Sequence, residues 1–250
     1  MDAVLDCESA ATTLTSLATL LDLSVSVLQK RVSGLSPDSL QELSRVQDKD
    51  LPEVLWCHIA LVANPLPRAT CWFHATRVLP QTTFAEGILP LGDMLPRIRT
   101  ELDELMHDCP EASQPDPIAT SSVGNPLALA SRMQLAQGQG PDAFLVRQAI
   151  LEPDDSQHRF LEAPEAVEDV AVMLAGDRAA ALMDCFRRAT RPCIVKFQTT
   201  DPDPEALRAA LNYAYNDQWG VELPCPPYTL GMDGQRVPPT AIAKVEFVGD

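Results

Sequence analysis

The chain has 250 residues, 46% of them hydrophobic. That is enough for one large domain, or one domain with a helical appendage, and it is far from the composition of a disordered chain. A formal net charge of −16 disfavours direct nucleic-acid binding, which needs a basic face for the phosphates, and equally disfavours docking on anionic membranes; a small ligand or a basic protein partner suits it better.

Residues 1–63 read as helical. Leu14, Leu17, Leu21, Val25, Leu28 and Val32 recur at steps of three and four, the spacing of one helix face, and Gly34 is a natural stop. Ser36-Pro37-Asp38 starts a second helix, with Ser36 as N-cap and Pro37 in the first helical position. Residues 51–62 form a third, apolar helix. Asn64-Pro65-Leu66-Pro67 breaks the pattern and predicts a boundary between a helical N-terminal subdomain, 1–65, and an α+β domain for ligand binding or catalysis, 66–250.

In the second part, 71–77 is a strand and 83–87 one helical turn closed by Gly87. Residues 94–107 form an amphipathic helix with Leu95, Ile98, Leu102 and Leu105 on one side. A polar, Pro-rich loop over 109–125 precedes a helix over 126–137 and the turn Gly138-Gln139-Gly140-Pro141. Then come a strand over 143–150, helices over 164–174 and 178–190, a buried strand within 193–199, a helix over 203–215, and strands over 228–230 and 241–248. The order predicts the α+β class: an N-terminal helical segment followed by a small, mixed, mainly antiparallel sheet flanked by helices.

No run is long enough for a membrane span; the best, 54–65, is short and carries His58. Asp2, Asp6 and Glu8 stand where a secretory signal has basic residues, so no such signal is expected. Seven cysteines, at 7, 57, 71, 109, 185, 193 and 225, are odd in number and scattered, which predicts free thiols in a reducing cytoplasm rather than a disulfide framework.

His74, Thr76 and Arg77 are the main chemical feature. Strand alternation puts His74 and Thr76 on one face. An imidazole beside a hydroxyl offers a donor and acceptors for a ribose diol, and an arginine nearby can hold phosphate. The plain alternative is a buried histidine bonded to a backbone carbonyl, with Arg77 on the surface. Phe73-His74-Ala75-Thr76-Arg77, then Phe84, then Gly87-Ile88-Leu89-Pro90-Leu91, resembles the opening of ADP-ribosyltransferase-fold enzymes. In that family an aromatic-His-Gly-Thr strand leads to a helix and a Gly-Ile/Leu-x-Pro segment, and the histidine holds the NAD ribose. The resemblance covers about twenty residues and implies NAD as substrate, His74 on the ribose and Thr76 beside it. Ala75 stands where the family has glycine, and Phe144 is the aromatic of the strand where it has a tyrosine or serine. No glutamate lies within Tyr228-Thr229-Leu230-Gly231, where the family's catalytic carboxylate would fall; Glu222 precedes that strand and Glu246 lies in the last one.

A second constellation is residues 158–169. Pro164 with Glu165 in the first turn is good capping chemistry. The functional reading makes Glu165 or Glu168 a carboxylate facing His74 or Arg147. Cys71-x2-His74 with His107-x-Cys109 has ligand types for zinc without finger spacing. His74-x-Thr76 lacks the second copy that two-histidine phosphoesterases need, and neither a Gly-rich phosphate loop nor a Gly-x-Ser-x-Gly elbow occurs.

Two functions follow as expectations. One is a cytoplasmic NAD-dependent ADP-ribosyltransferase-like protein, a toxin or effector, with His74 orienting the ribose, Arg77 or Arg147 on phosphate and Glu165 as carboxylate. The other is a non-enzymatic, acidic interaction protein that binds a protein partner.

Overall fold

The structure is a computed structural model and describes residues 3–59, 66–109, 134, 136–223 and 226–249. Its centre is one open, mainly antiparallel sheet of β1 (Val4–Leu5), β2 (Ala69–Val78), β3 (Asp142–Phe144), β4 (Arg191–Thr199), β5 (Thr229–Gly231) and β6 (Ile242–Phe247). The strand order is β5-β3-β2-β4-β6, with β1 paired to the start of β2. β1 runs parallel to β2, Val4 opposite Ala69 and Leu5 opposite Thr70; β3 runs antiparallel, Phe144 opposite Phe73. Thr70, Cys71, Trp72 and Phe73 are successive buried residues. Successive side chains of a strand point to opposite faces, so this stretch of β2 is covered on both sides. With its helices, the chain has the α+β architecture that the element order predicts.

The N-terminal region departs from the all-helical expectation in two ways. It opens with β1, too short a strand to leave an alternating signature. The helix expected through Leu14 and Val32 is two helices, α1 (Ala10–Leu20) and α2 (Val25–Ser33), bent by 110°. Asp22 has φ 53°, which a right-handed helix cannot accommodate, and Ser24 caps α2 by accepting a bond from the Val27 N–H. The apolar spacing simply continues across the break. α3 (Pro37–Gln47) starts from Ser36 as predicted, and α4 (Leu51–Ile59) follows. The Asn64-Pro65 end of the predicted boundary, the 110–125 loop and most of the predicted 126–137 helix lie outside the described residues.

Three further elements differ. The expected helical turn at 83–87 is a tight turn: the Gly87 N–H donates to Phe84 O at 2.9 Å, with Phe84 at φ 54° and Gly87 at φ 82°. A Cβ at Gly87 would collide with the Val237 carbonyl, because Ile88 and Val237 exchange backbone hydrogen bonds of 3.0 and 2.9 Å beside it. The 143–150 strand stops at Phe144, and after a bridge between Val146 and Cys7 the chain turns into α6 (Gln148–Leu151). A short apolar run without alternation does not distinguish strand from helix. Finally, Cys109 and Cys185 form a disulfide, against the expectation of free thiols; Cys7, Cys57, Cys71 and Cys193 carry no disulfide. Helix packing brings the two Cα atoms to 6.5 Å across a sequence separation of 76, which spacing alone conceals.

The chain divides into two compact units. The first takes Met1–Phe73, Phe144–Asp155 and Phe197–Leu230. In it α1, α2 and α4 pack on α9 (Pro204–Trp219), which Asp203 caps at its start and Gly220, at φ 62°, ends. The second takes His74–Ala143, Ser156–Lys196 and Gly231–Asp250. Here α5 (Leu91–Asp108), α7 (Glu165–Ala175) and α8 (Ala179–Ala189) bury Leu95, Ile98, Leu102, Val170, Leu182 and Phe186, with the disulfide among them. No single helix among the described residues is long and apolar enough to cross a membrane.

Candidate functional site

The second half of β2 lies in the second unit and carries His74, Thr76 and Arg77. His74 is half-buried, with Nδ1 2.7 Å from Asp142 O. A carbonyl only accepts, so Nδ1 carries the proton and Nε2 holds the lone pair of the neutral ring. Burial pulls the His74 pKa below its ordinary value, and the Asp142 carbonyl offsets part of that shift. Nε2 has no hydrogen-bond partner among the described residues. The ring is thus held by one nitrogen and can accept through the other.

Residues 139–141 hold Asp142 in position. Gln139 O accepts from the Leu91 N–H at 3.1 Å, Gly140 O from Gly234 at 3.1 Å and Pro141 O from Met232 at 3.2 Å. Burial raises the Asp142 carboxyl pKa; His74 pulls it down, while Glu165 and Asp233 push it up. A Cβ added to Gly231 would meet Asp142 Oδ1 at 3.3 Å and Asp233 Oδ1 at 4.0 Å, so both carboxylates lean over the bare Cα of that glycine. The result is an imidazole acceptor held against Asp142, whose carboxyl in turn feels Glu165 and Asp233. Such a group can take hydrogen bonds from hydroxyls and stabilise positive charge.

The other predicted residues fare differently. Glu165 opens α7 with its side chain 65% exposed, Oε1 3.9 Å from His158 Nδ1, and it acts on Asp142 through space. His158 Nε2 lies 2.6 Å from Ala163 O. Thr76 Oγ1 lies 3.5 Å from Arg77 O, at the limit of a hydrogen bond. Arg77 donates from Nε to Thr190 Oγ1 (3.0 Å), from Nη1 to Leu161 O (2.8 Å), and from Nη2 to Arg187 O (2.8 Å) and Thr190 O (2.9 Å). Four of its five N–H groups are therefore committed to the end of α8 and the chain before α7, and one remains for any phosphate. Arg147 belongs to the first unit, where its backbone N–H donates to Cys7 O at 3.2 Å.

Asp142 and Asp233 were not singled out by their sequence context. Asp142 follows the Gly140-Pro141 turn, and Asp233 sits in an Asp-Gly turn, so both read as turn residues. The first unit holds a separate polar group that sequence reading also missed. Tyr228 donates to Asp203 Oδ2 at 2.7 Å and stacks on Trp72 at 6.2 Å, while Asp203 Oδ1 caps α9. Burial, then the Asp203 hydrogen bond, pushes the Tyr228 phenol well above its ordinary pKa. Zinc at Cys71, His74, His107 and Cys109 is not supported: Cys109 is bonded to Cys185, and no metal-holding cluster of His, Cys, Asp or Glu occurs among the described residues.

No family model matches this chain, and no curated protein or solved structure does so either.

Proposed function

We propose that the second unit is an ADP-ribosyltransferase-like domain that takes NAD as substrate, in a cytoplasmic toxin or effector, and that His74 holds the nicotinamide-side ribose. One observation carries this reading: His74 is fixed through Nδ1 to Asp142 O, which leaves Nε2 as an acceptor on a residue held against Asp142. Nε2 accepts from a ribose hydroxyl. An ionised carboxylate, with Glu165 and Asp233 the candidates, offsets the positive charge that develops on the ribose as nicotinamide leaves, and takes the proton of the incoming nucleophile. The strand order β5-β3-β2 supports the assignment, because it sets the late strand, with Asp233 in the turn after it, beside β3, itself next to the histidine strand. Thr76 contributes a hydroxyl beside the ribose, and the remaining N–H of Arg77 serves the diphosphate.

Titration calorimetry with NAD tests this directly. The unmutated protein binds and His74→Ala loses binding by about tenfold or more, as expected for a polar group removed from a hydrogen-bonding pocket. No heat of binding with the unmutated protein sinks the proposal.

A second reading has its own support. The carboxylates of Glu165 and Asp233 acting on Asp142, and the commitment of Arg77 to carbonyls, disfavour an anionic dinucleotide, and the chain carries a net charge of −16. These favour a non-enzymatic protein that binds a basic protein partner. A stoichiometric partner that co-purifies equally well with His74→Ala selects this reading.

A further inference from the structure

The geometry points to self-association through β6, with two copies of the chain pairing antiparallel along this edge into one continuous sheet. β6 ends the strand order; its partner in the sheet is β4, and its other edge is met by no strand among the described residues. It is six residues long, whereas β5 at the opposite end has three. A strand edge of that length offers a row of N–H and C=O groups to a second strand.

The side chains choose the partner and the register. A two-fold axis perpendicular to the sheet pairs residues of equal parity, so that each side chain meets one on the same face. With the axis at Val245, Lys244 faces Glu246 of the second copy and Glu246 faces its Lys244, while Ala243 lies opposite Phe247. Moving the axis to position 244 sets Lys244 against Lys244; moving it to 246 sets Glu246 against Glu246. Opposite charges directly across a pair stabilise and like charges destabilise, so among these three registers only the Val245-centred one is favoured. Within one copy, Lys244 Nζ already lies 3.2 Å from Glu246 Oε2, so the two charges are drawn to the same face of β6. On the opposite face Phe247 lies under the Arg191 guanidinium, 4.4 Å from the ring centre, which fixes the aromatic ring beside the seam.

Sedimentation of the full chain across concentration tests this. The unmutated protein runs as a dimer at the upper end. Lys244→Glu, which sets like charges across both pairs, raises the dissociation constant about tenfold or more, and the swap Lys244→Glu with Glu246→Lys restores it, since the exchanged charges are again complementary. Circular dichroism on each variant verifies folding, and the doubly swapped chain keeps the test decisive if the single variant fails to fold. A wild-type monomer at every concentration overturns the proposal. So does a Lys244→Glu chain that dimerises as tightly as wild type, or a monomer that instead captures an extended peptide along β6.

Discussion

His74 and Arg77 stand three residues apart on β2 and end in opposite conditions. Arg77 is closed off: four of its N–H groups are bound to Leu161, Arg187 and Thr190, so it clamps the end of α8 and the chain leading into α7 onto the sheet. His74 is open: one ring nitrogen is bound to Asp142 O, and the other faces no hydrogen-bonding partner among the described residues. The arginine is the stronger ligand type for an anion, yet its surroundings turn it into structure. The histidine is the more ordinary residue, yet its surroundings leave it a working atom. Which of the two can serve a ligand depends on the carbonyls nearby, and a residue's type does not reveal that.

The closed side breaks with the largest effect. Reducing Cys109–Cys185 releases a loop closed over a separation of 76 residues, and by loop entropy it costs about 4 kcal/mol. Thermal melting with and without reductant, and of Cys109→Ser with Cys185→Ser, measures this; an unchanged melting temperature means that the bond does not form in solution. Next comes Arg77→Ala, which leaves the Leu161, Arg187 and Thr190 carbonyls without their charged donor and costs about 3 kcal/mol in denaturant unfolding. Arg77→Lys recovers little, because one ammonium cannot span carbonyls that a planar fork reaches together. His74→Ala on the open side changes stability by less than either. A His74→Ala loss as large as that of Arg77→Ala would erase the difference between the two faces.

Much of this arrangement was legible beforehand, and what was missed has a common cause. The α3 start at Ser36-Pro37, the amphipathic α5, the α7 and α8 pair and β4 all follow from local spacing and caps. His74 itself stood out because a histidine after Trp72 and Phe73 interrupts a buried run. The break at Asp22 and the turn at Phe84–Gly87 depend on single left-handed residues that leave the apolar pattern intact. Asp142 and Asp233 look like turn residues and gain significance only when β3 sets Asp142 against His74 and the turn after β5 sets Asp233 near Asp142. The disulfide and the Arg77 clamp join residues 76 and more than 80 positions apart, beyond the reach of any local pattern.

The finest distinction concerns the protonation of His74. Its pKa is held down by burial, so the folded state prefers the neutral ring more strongly than the unfolded chain does. Below the ordinary histidine value of 6.5 the unfolded chain binds the proton first, and stability then rises with pH. The contribution of His74 is therefore complete above that value and is lost as pH falls through it toward the lower folded value. His74→Gln, which cannot titrate, flattens this part of the stability profile. Nitrogen chemical shifts of the ring should show Nδ1 protonated at neutral pH and half-protonation below the ordinary value. A ring that titrates at or above 6.5, or that carries its proton on Nε2, removes the open acceptor on which the ribose assignment depends. It would also leave His74 as closed as Arg77, with both faces of β2 serving structure alone.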